Sequence, residues 1–238
     1  MNIKKFQYQG TRNYQQDNYY TNEDRGIYII CDGVGGSVDG AKASEIVTLE
    51  ISDYLINATE AISVQYMEDA IYSAQQQLNK YADENLDFGN SGTTLALLVL
   101  NGEKAYAAHM GDSKILLFKQ NSNKIWYTKD HSMVQELFEA GVIKNEADLF
   151  THPMRNRITN GLFARKEPRK LNISITELSN INKGDIFIIC SDGVFESYRP
   201  LELYQLYNQE SVCKATEIIE KKVESASSDN STFILVQI

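Results

Sequence analysis

IYIICDGVGG, residues 27–36, drives an apolar strand straight into a carboxylate. Ile27, Tyr28, Ile29, Ile30 and Cys31 are β-branched, aromatic or small and apolar, the composition of a buried strand. Asp32 stops the run, and Gly33, Gly35 and Gly36 follow at once. The pattern returns at IFIICSDGV (186–194), where an apolar run passes through Cys190 into Asp192-Gly193. Two such strands predict carboxylates held rigidly at a sheet rim. Glycine there lets another backbone or an ion approach closely and leaves a carbonyl such as that of Gly33 accessible.

Outward from these strands, short strands are expected at 4–8 and 18–21, with a polar turn at 22–26. Helical spacing of Ala43, Val47, Ile51, Tyr54 and Leu55 predicts a helix over 41–57. Met67, Ala70, Ile71, Ala74, Leu78 and Tyr81 predict a second over 65–82, and both stripes read as core-facing. Asn101-Gly102 between apolar runs marks a hairpin joining 93–100 to 105–109. Strands at 114–119 and 124–128 and a helix at 132–140 closed by Gly141 come next. The stretch 144–170 is irregular; a strand at 172–177, helices at 201–207 and 211–224, and a strand at 231–238 follow. Strand runs interleaved with helix pairs predict an α+β chain, mostly antiparallel, with helices outside the sheets.

The chain of 238 residues has no Pro/Ser-rich linker, fixed-period repeat or low-complexity tract, so 1–238 reads as one domain. A net charge of −9 argues against nucleic acid and against a polybasic membrane contact. The first residues lack an apolar leader, and nowhere do 18 apolar residues run uninterrupted; a soluble, cytoplasmic protein is expected. Cys31, Cys190 and Cys213 are odd in number and form no CxxC, which reads as small buried hydrophobes in a reducing compartment.

The aspartates carry the chemistry. Asp32 and Asp192 end buried strands, Asp112 sits in a Gly-Asp-Ser turn, Asp229 precedes the last strand and Asp17 an early one. Any one Asp beside Gly is most often a turn residue. Several at one rim repel one another, and a divalent cation resolves that conflict. Hard oxygen donors suit Mg²⁺ or Mn²⁺, whereas His109, His131 and His152 lack the HxxxH or HxH spacing of a zinc site. Spacing alone goes no further than compatibility with a metal-dependent hydrolase. GVGG is not GxGxxG, and GxxxxGK[ST] does not occur.

The ordered series RNYQQDN (12–18), CDGVGGSVDGAKAS (31–44), SGTTLALL (91–98), HMGDSKILLF (109–118), TKDHSMVQELFEAGVI (128–143), HPMRNRIT (152–159), GDIFIICSDGVFES (184–197) and DNSTFILV (229–236) resembles the metal-dependent protein phosphatases of type 2C in their short bacterial form. The resemblance spans nearly the whole chain. It implies two antiparallel β-sheets packed as a central sandwich flanked by α-helices on both sides, a four-layer αββα fold. It implies two Mn²⁺ or Mg²⁺ ions and a weaker third, and hydrolysis of phosphoserine and phosphothreonine by metal-activated water without a phosphoenzyme. Under it, Asp32 resembles the carboxylate bridging two metals, with the Gly33 carbonyl on one of them. Asp192 and Asp229 resemble ligands of the other, Asp112 with Asp192 those of the third, Asp17 the carboxylate orienting metal-bound water, and Arg12 the guanidinium gripping phosphate. Catalysis would then rest on Arg12, Asp32 and Asp192, in a monomer partnered with a Ser/Thr kinase and its phosphoprotein substrates.

The chain departs from the family in places. Gln15-Gln16-Asp17 replaces Asn-Glu-Asp, so an amide stands in for one carboxylate, and weakened metal affinity is the expected limit of the effect. The literal Asn22-Glu23-Asp24 reads as a turn. Val34 stands where larger relatives carry a histidine that could protonate the leaving group, and Asn160-Gly161 replaces Arg-Ala. The rival readings are a pseudophosphatase that binds phosphoprotein without turnover, and a phosphatase dedicated to a regulator of the anti-sigma-antagonist type. Trp126 and the tyrosines read as packing or rim residues, and Arg165, Lys166, Arg169 and Lys170 as a solvated loop.

Overall fold

The apolar runs before Asp32 and Asp192 have no polar alternation because both of their faces are covered. The computed structural model describes residues 1–35, 38–89, 91–120, 122, 124–164 and 170–238. Strands β1 (Asn2–Tyr8), β2 (Asp17–Asn22) and β3 (Ile27–Val34) precede helices α1 (Val38–Ile56) and α2 (Val64–Glu84). Then come β4 (Gly92–Thr93), β5 (Leu95–Asn101), β6 (Lys104–Met110), β7 (Lys114–Phe118) and β8 (Ile125–Tyr127). Helix α3 (Met133–Glu139) and β9 (Leu162–Phe163) lead to β10 (Ser174–Ser179) and β11 (Ile186–Cys190). Helices α4 (Pro200–Gln209) and α5 (Val212–Ala226) and strand β12 (Ser231–Gln237) follow.

One sheet runs β1-β12-β11-β7-β8; the other runs β10-β6-β5-β3-β4-β9, with β2 also paired to β3. All of these pairings are antiparallel. Tyr28, Ile30 and Leu98 from one sheet pack against Phe187, Ile189 and Ile234 from the other. Their strand neighbours point the opposite way, as a period of two demands. Ile27, Ile29 and Cys31 meet Val47, Ile51 and Leu78 of the first helix pair. Ile188 and Cys190 meet Leu203, Ile219 and Val223 of the second. The result is the expected four-layer αββα sandwich.

Two local details differ from the sequence-based expectation. The strand expected over 93–100 breaks at Thr94, whose N–H leaves the ladder and donates to the Asp32 carbonyl at 2.8 Å. The irregular stretch contains a short 3₁₀ turn (Glu146–Phe150) and β9, which pairs with β4; a two-residue strand is too short to show periodicity. Arg165, Lys166 and Arg169 lie outside the described residues, and Lys170 is exposed. Among the described residues, no helix is long and apolar enough to cross a membrane.

Candidate active site

Register brings the aspartates to one end of the sandwich. Asp17 opens β2 directly opposite Asp32 on β3, so strand pairing alone sets two carboxylates side by side. In the other sheet Cys190 pairs with Lys114 and with Phe233, so Asp112, Asp192 and Asp229, just beyond those strand ends, share one edge. A cleft of about 170 Å³ there is lined by Arg12, Asp32, Gly33, Asp112, Asp192 and Asp229. Asp17 is buried and does not line it; its Oδ2 accepts from Ser191 Oγ (2.8 Å) and Thr232 Oγ1 (2.6 Å). Asn22 ends β2, and Glu23-Asp24 lie in the turn that follows, outside the cleft, where Gly26 N–H donates to the Glu23 carbonyl.

The glycines beside the carboxylates answer to close approach. A Cβ on Gly33 would collide with the Gly40 carbonyl of α1 and press on that of Gln16, which accepts from Gly33 N–H at 3.1 Å. A Cβ on Gly193 would collide with the Asn230 carbonyl. The backbone of Asp32 is pinned on both sides: the Thr93 hydroxyl donates to its carbonyl (2.9 Å), and its N–H donates to Thr94 Oγ1 (3.0 Å).

The Asp229 loop is set by neighbours on either side. Glu196 Oε2 accepts from the Ser228 N–H (2.8 Å) and the Ser227 hydroxyl (3.1 Å). Burial raises the Glu196 carboxyl, and these donors outweigh burial and hold it below its ordinary value. Asn230 ties the loop to the Arg12 segment by donating to the carbonyls of Gln9 (2.7 Å) and Tyr14 (3.1 Å) and accepting from Gln16 N–H (2.8 Å). Arg12 itself, expected to be free for phosphate, pairs with Asp229 through Nε to Oδ1 and Nη2 to Oδ2.

Electrostatics at the rim are those of anions crowded without enough counter-charge. Burial, then repulsion from Asp17, Asp192, Asp112 and Asp229, pushes the Asp32 carboxyl well above the usual carboxylate range. Asp192 is pushed the same way by burial and by Asp112, Asp229 and Asp17. Burial raises Asp17 to about 6 against the hydroxyls of Thr232 and Ser191, and raises Asp112 against the pull of Lys114. Lys114 is itself buried, which lowers its ammonium to about 8, and it is paired with Asp130.

Among the described residues, no three His, Cys, Asp or Glu side chains stand converged as a finished ligand set. Asp229 is turned onto Arg12, and Asp17 onto Ser191 and Thr232. The donor chemistry nevertheless fits a hard divalent cation. The oxygens come from carboxylates whose mutual repulsion a cation relieves, and Asp17 Oδ1 is buried without a hydrogen-bond partner.

The histidines have structural surroundings. His109 and His131 stack at 4.6 Å between ring centroids, and His109 Nε2 lies 2.7 Å from the Lys129 carbonyl. Nδ1 of His131 faces the N–H of Gly111 (3.3 Å) and the Asn160 amide (3.0 Å), so its proton sits on Nε2, toward Ser174 Oγ (2.9 Å). Asn160 also donates to the Asn172 carbonyl. Cys31 and Cys190 are buried and unbridged, with thiols raised by burial; Cys213 is exposed.

Thr93, Thr94, Lys114, Glu196 and Asn230 were not singled out by the sequence reading, although all fall inside its motifs. Position beside an aspartate or a strand end is the available signal for Thr93, Thr94, Lys114 and Asn230; Glu196 has none.

The Protein phosphatase 2C family profile matches residues 8–227. A serine/threonine phosphatase, Stp, of Listeria innocua is 29% identical over 235 residues, covering 95% of this chain and 91% of that protein. The crystal structure of the serine/threonine phosphatase Stp1 from Staphylococcus aureus superposes with a TM-score of 0.87 at 27% identity, over 99% of this chain and 94% of that one. The catalytic domain of the serine/threonine phosphatase PstP, solved with two manganese ions, shares the fold with a TM-score of 0.82 at 18% identity, over 99% and 97% of the two chains.

Proposed function

Because the chain belongs to the protein phosphatase 2C family, we propose that it is a protein serine/threonine phosphatase hydrolysing phosphoserine and phosphothreonine, with residues 1–238 as one catalytic domain. The observation that supports this most is the convergence of Asp32, Asp112, Asp192 and Asp229 on one cleft that also holds Arg12. In this reading Asp32, the Gly33 carbonyl, Asp192 and Asp229 would hold two divalent ions, Mn²⁺ or Mg²⁺, and Asp112 with Asp192 would hold a weaker third. When bound, such ions supply Lewis-acid charge and lower the pKa of water.

The chain's own residues do the positioning. Arg12 offers a planar fork matched to two phosphoryl oxygens; to do so it must release Asp229, which its half-exposed side chain permits. Asp17, fixed by Ser191 and Thr232, keeps its other oxygen, Oδ1, as the acceptor that would orient a water. Buried Cys31 and Cys190, with raised thiol pKa values, are poor nucleophiles, in keeping with direct attack by water. The enzyme acts as a cytoplasmic monomer on proteins phosphorylated by a Ser/Thr kinase.

Hydrolysis of a phosphothreonine peptide with Mn²⁺, with chelator and by the Asp192→Asn variant tests the reading. Turnover that requires the metal and disappears in the variant supports it. The Arg12–Asp229 pairing favours one second reading, a phosphoprotein-binding module without turnover. That is the conclusion if folded protein binds phosphopeptide and hydrolyses none.

A further inference from the structure

A cavity of about 880 Å³, lined by none of the cleft aspartates, lies between strands β6, β7, β8 and β10 and the α3 segment. We propose that it docks a basic segment of the phosphoprotein substrate, taking an arginine or lysine side chain at a set distance from the phosphorylated residue. The inference rests on the phosphatase reading for the identity of the substrate, and on the cavity itself for the rest.

Continuity with the cleft comes first. Asp112, Asn156 and Asp192 line both the cleft and a small intermediate cavity, and that cavity shares Lys114, Asp130, Leu149 and Phe150 with the large one. The three cavities therefore adjoin one another, and a chain whose phosphate lies by Arg12 would run past Phe150 toward the large one. An extended peptide advances roughly 3.3–3.6 Å per residue, so a few residues of substrate carry a side chain along such a path.

Chemistry selects the occupant. Trp126, Tyr127, Phe138 and Phe150 are half-buried and present aromatic surface to the cavity. The ion pairs Lys114–Asp130 and Lys129–Glu139 cancel internally. The remaining charges are those of Glu136 and Glu146, both exposed and both negative. Tyr127 donates its hydroxyl to Glu146 and so places that carboxylate at the aromatic wall. Aromatic faces flanked by unneutralised carboxylates suit a cation on an apolar stem. The molecule already uses one of these rings in that way, since the Arg199 guanidinium lies 5.9 Å from the Phe150 centroid. Among the residues that line the cavity, an acidic segment would meet Glu136 and Glu146, which are like charges.

Trp126 is the only tryptophan in the chain, which makes the cavity observable without catalysis. An unphosphorylated arginine-containing peptide is titrated while Trp126 fluorescence is followed. A saturable change is expected, absent for the same peptide with glutamate at the arginine positions, and weakened about tenfold or more in E136K/E146K, the scale of one lost charge contact. In parallel, phosphothreonine peptides with one arginine walked outward on either side, and a small aryl phosphate, are hydrolysed with Mn²⁺. One arginine spacing should improve kcat/KM about tenfold, through KM, and lose that advantage in E136K/E146K and most of it in E136Q/E146Q. The aryl phosphate rate should be unchanged by either variant. No arginine effect with active enzyme, an effect that survives charge reversal, or equal Trp126 responses to acidic and basic peptides would overturn the docking site. Inertness toward every phosphate ester would instead count against the phosphatase reading, and the fluorescence titration would still decide the cavity.

Discussion

Arg12 clasps Asp229 through two parallel hydrogen bonds, Nε to Oδ1 at 2.8 Å and Nη2 to Oδ2 at 2.7 Å, across 217 residues of chain. The pair joins the proposed phosphate grip to a proposed metal ligand. Phosphate and metal binding would each have to displace it.

Arg12→Ala should therefore separate activity from stability. Arg12 is 51% exposed and Asp229 19%, so solvent screens the pair and its loss should change unfolding free energy by less than about 1 kcal/mol. Activity on a phosphopeptide should fall at least about tenfold, since a bidentate phosphate contact is removed. Urea melts and steady-state kinetics on the same preparation check both halves. A large loss of stability with activity intact would contradict it.

Divalent cation should stabilise the fold through the aspartates. At about a hundredfold over its dissociation constant, Mn²⁺ should add about 2.7 kcal/mol, a Tm increase of roughly 5–10 °C for a chain this size. Asp192→Asn should lose most of that shift. Without cation, the variant should be at least as stable as the parent, because one member of the repelling group is gone. Differential scanning fluorimetry with and without chelator reads this directly.

His109 should make stability fall at mildly acid pH. Burial, then the stacked His131, lowers its pKa to about 4, with the Lys129 carbonyl pulling the other way and Lys114 adding repulsion. The unfolded chain binds this proton from its ordinary value of 6.5 downward, whereas the folded protein does so only near 4. Stability from this group is thus complete above 6.5 and is lost as pH falls toward 4, by at most about 1.4 kcal/mol per pH unit. Because the raised rim carboxylates tilt the profile of chelated protein the other way, the contribution reads as a difference in urea melts: between pH 6.5 and 4, His109→Phe should lose less stability per pH unit than the parent. Equal slopes would refute the assignment.

Gly33→Ala should damage fold and site together. The added methyl meets the Gly40 carbonyl, a backbone atom that cannot rotate away, so α1 must shift from β3. A cost of about 1–3 kcal/mol is expected, with activity reduced more than stability because Asp32 is the adjacent residue. Ala substituted at Gly102, whose added Cβ meets no atom within 4 Å but whose φ is +61°, serves as the comparison: strain without collision.

Much of this site was legible before the fold. Two apolar strands ending in Asp-Gly announced rigid carboxylates, and the motif order predicted the cleft residues, all of which line it except Asp17. Asp17 was found by motif, yet its burial behind Asp32 follows from a β2–β3 register that no local pattern reveals. Thr93 and Thr94 sat inside a quoted motif without a role. A strand break that turns two threonines onto the Asp32 backbone depends on a partner some sixty residues away. Trp126 packs partly against the core between the sheets, as expected, and that it also lines the 880 Å³ cavity depends on contacts between β8 and distant segments.

By itself the sequence determined which residues could be strands, helices and carboxylate-bearing turns, because periodicity, β-branching and glycine are local properties of the chain. Only the tertiary structure decided which carboxylates share one edge, that Arg12 and Asp229 hold each other, and that aromatic and acidic residues from separate elements form one cavity. Those are contacts between distant segments, set by strand register and helix packing, and neither is written in any single stretch of residues.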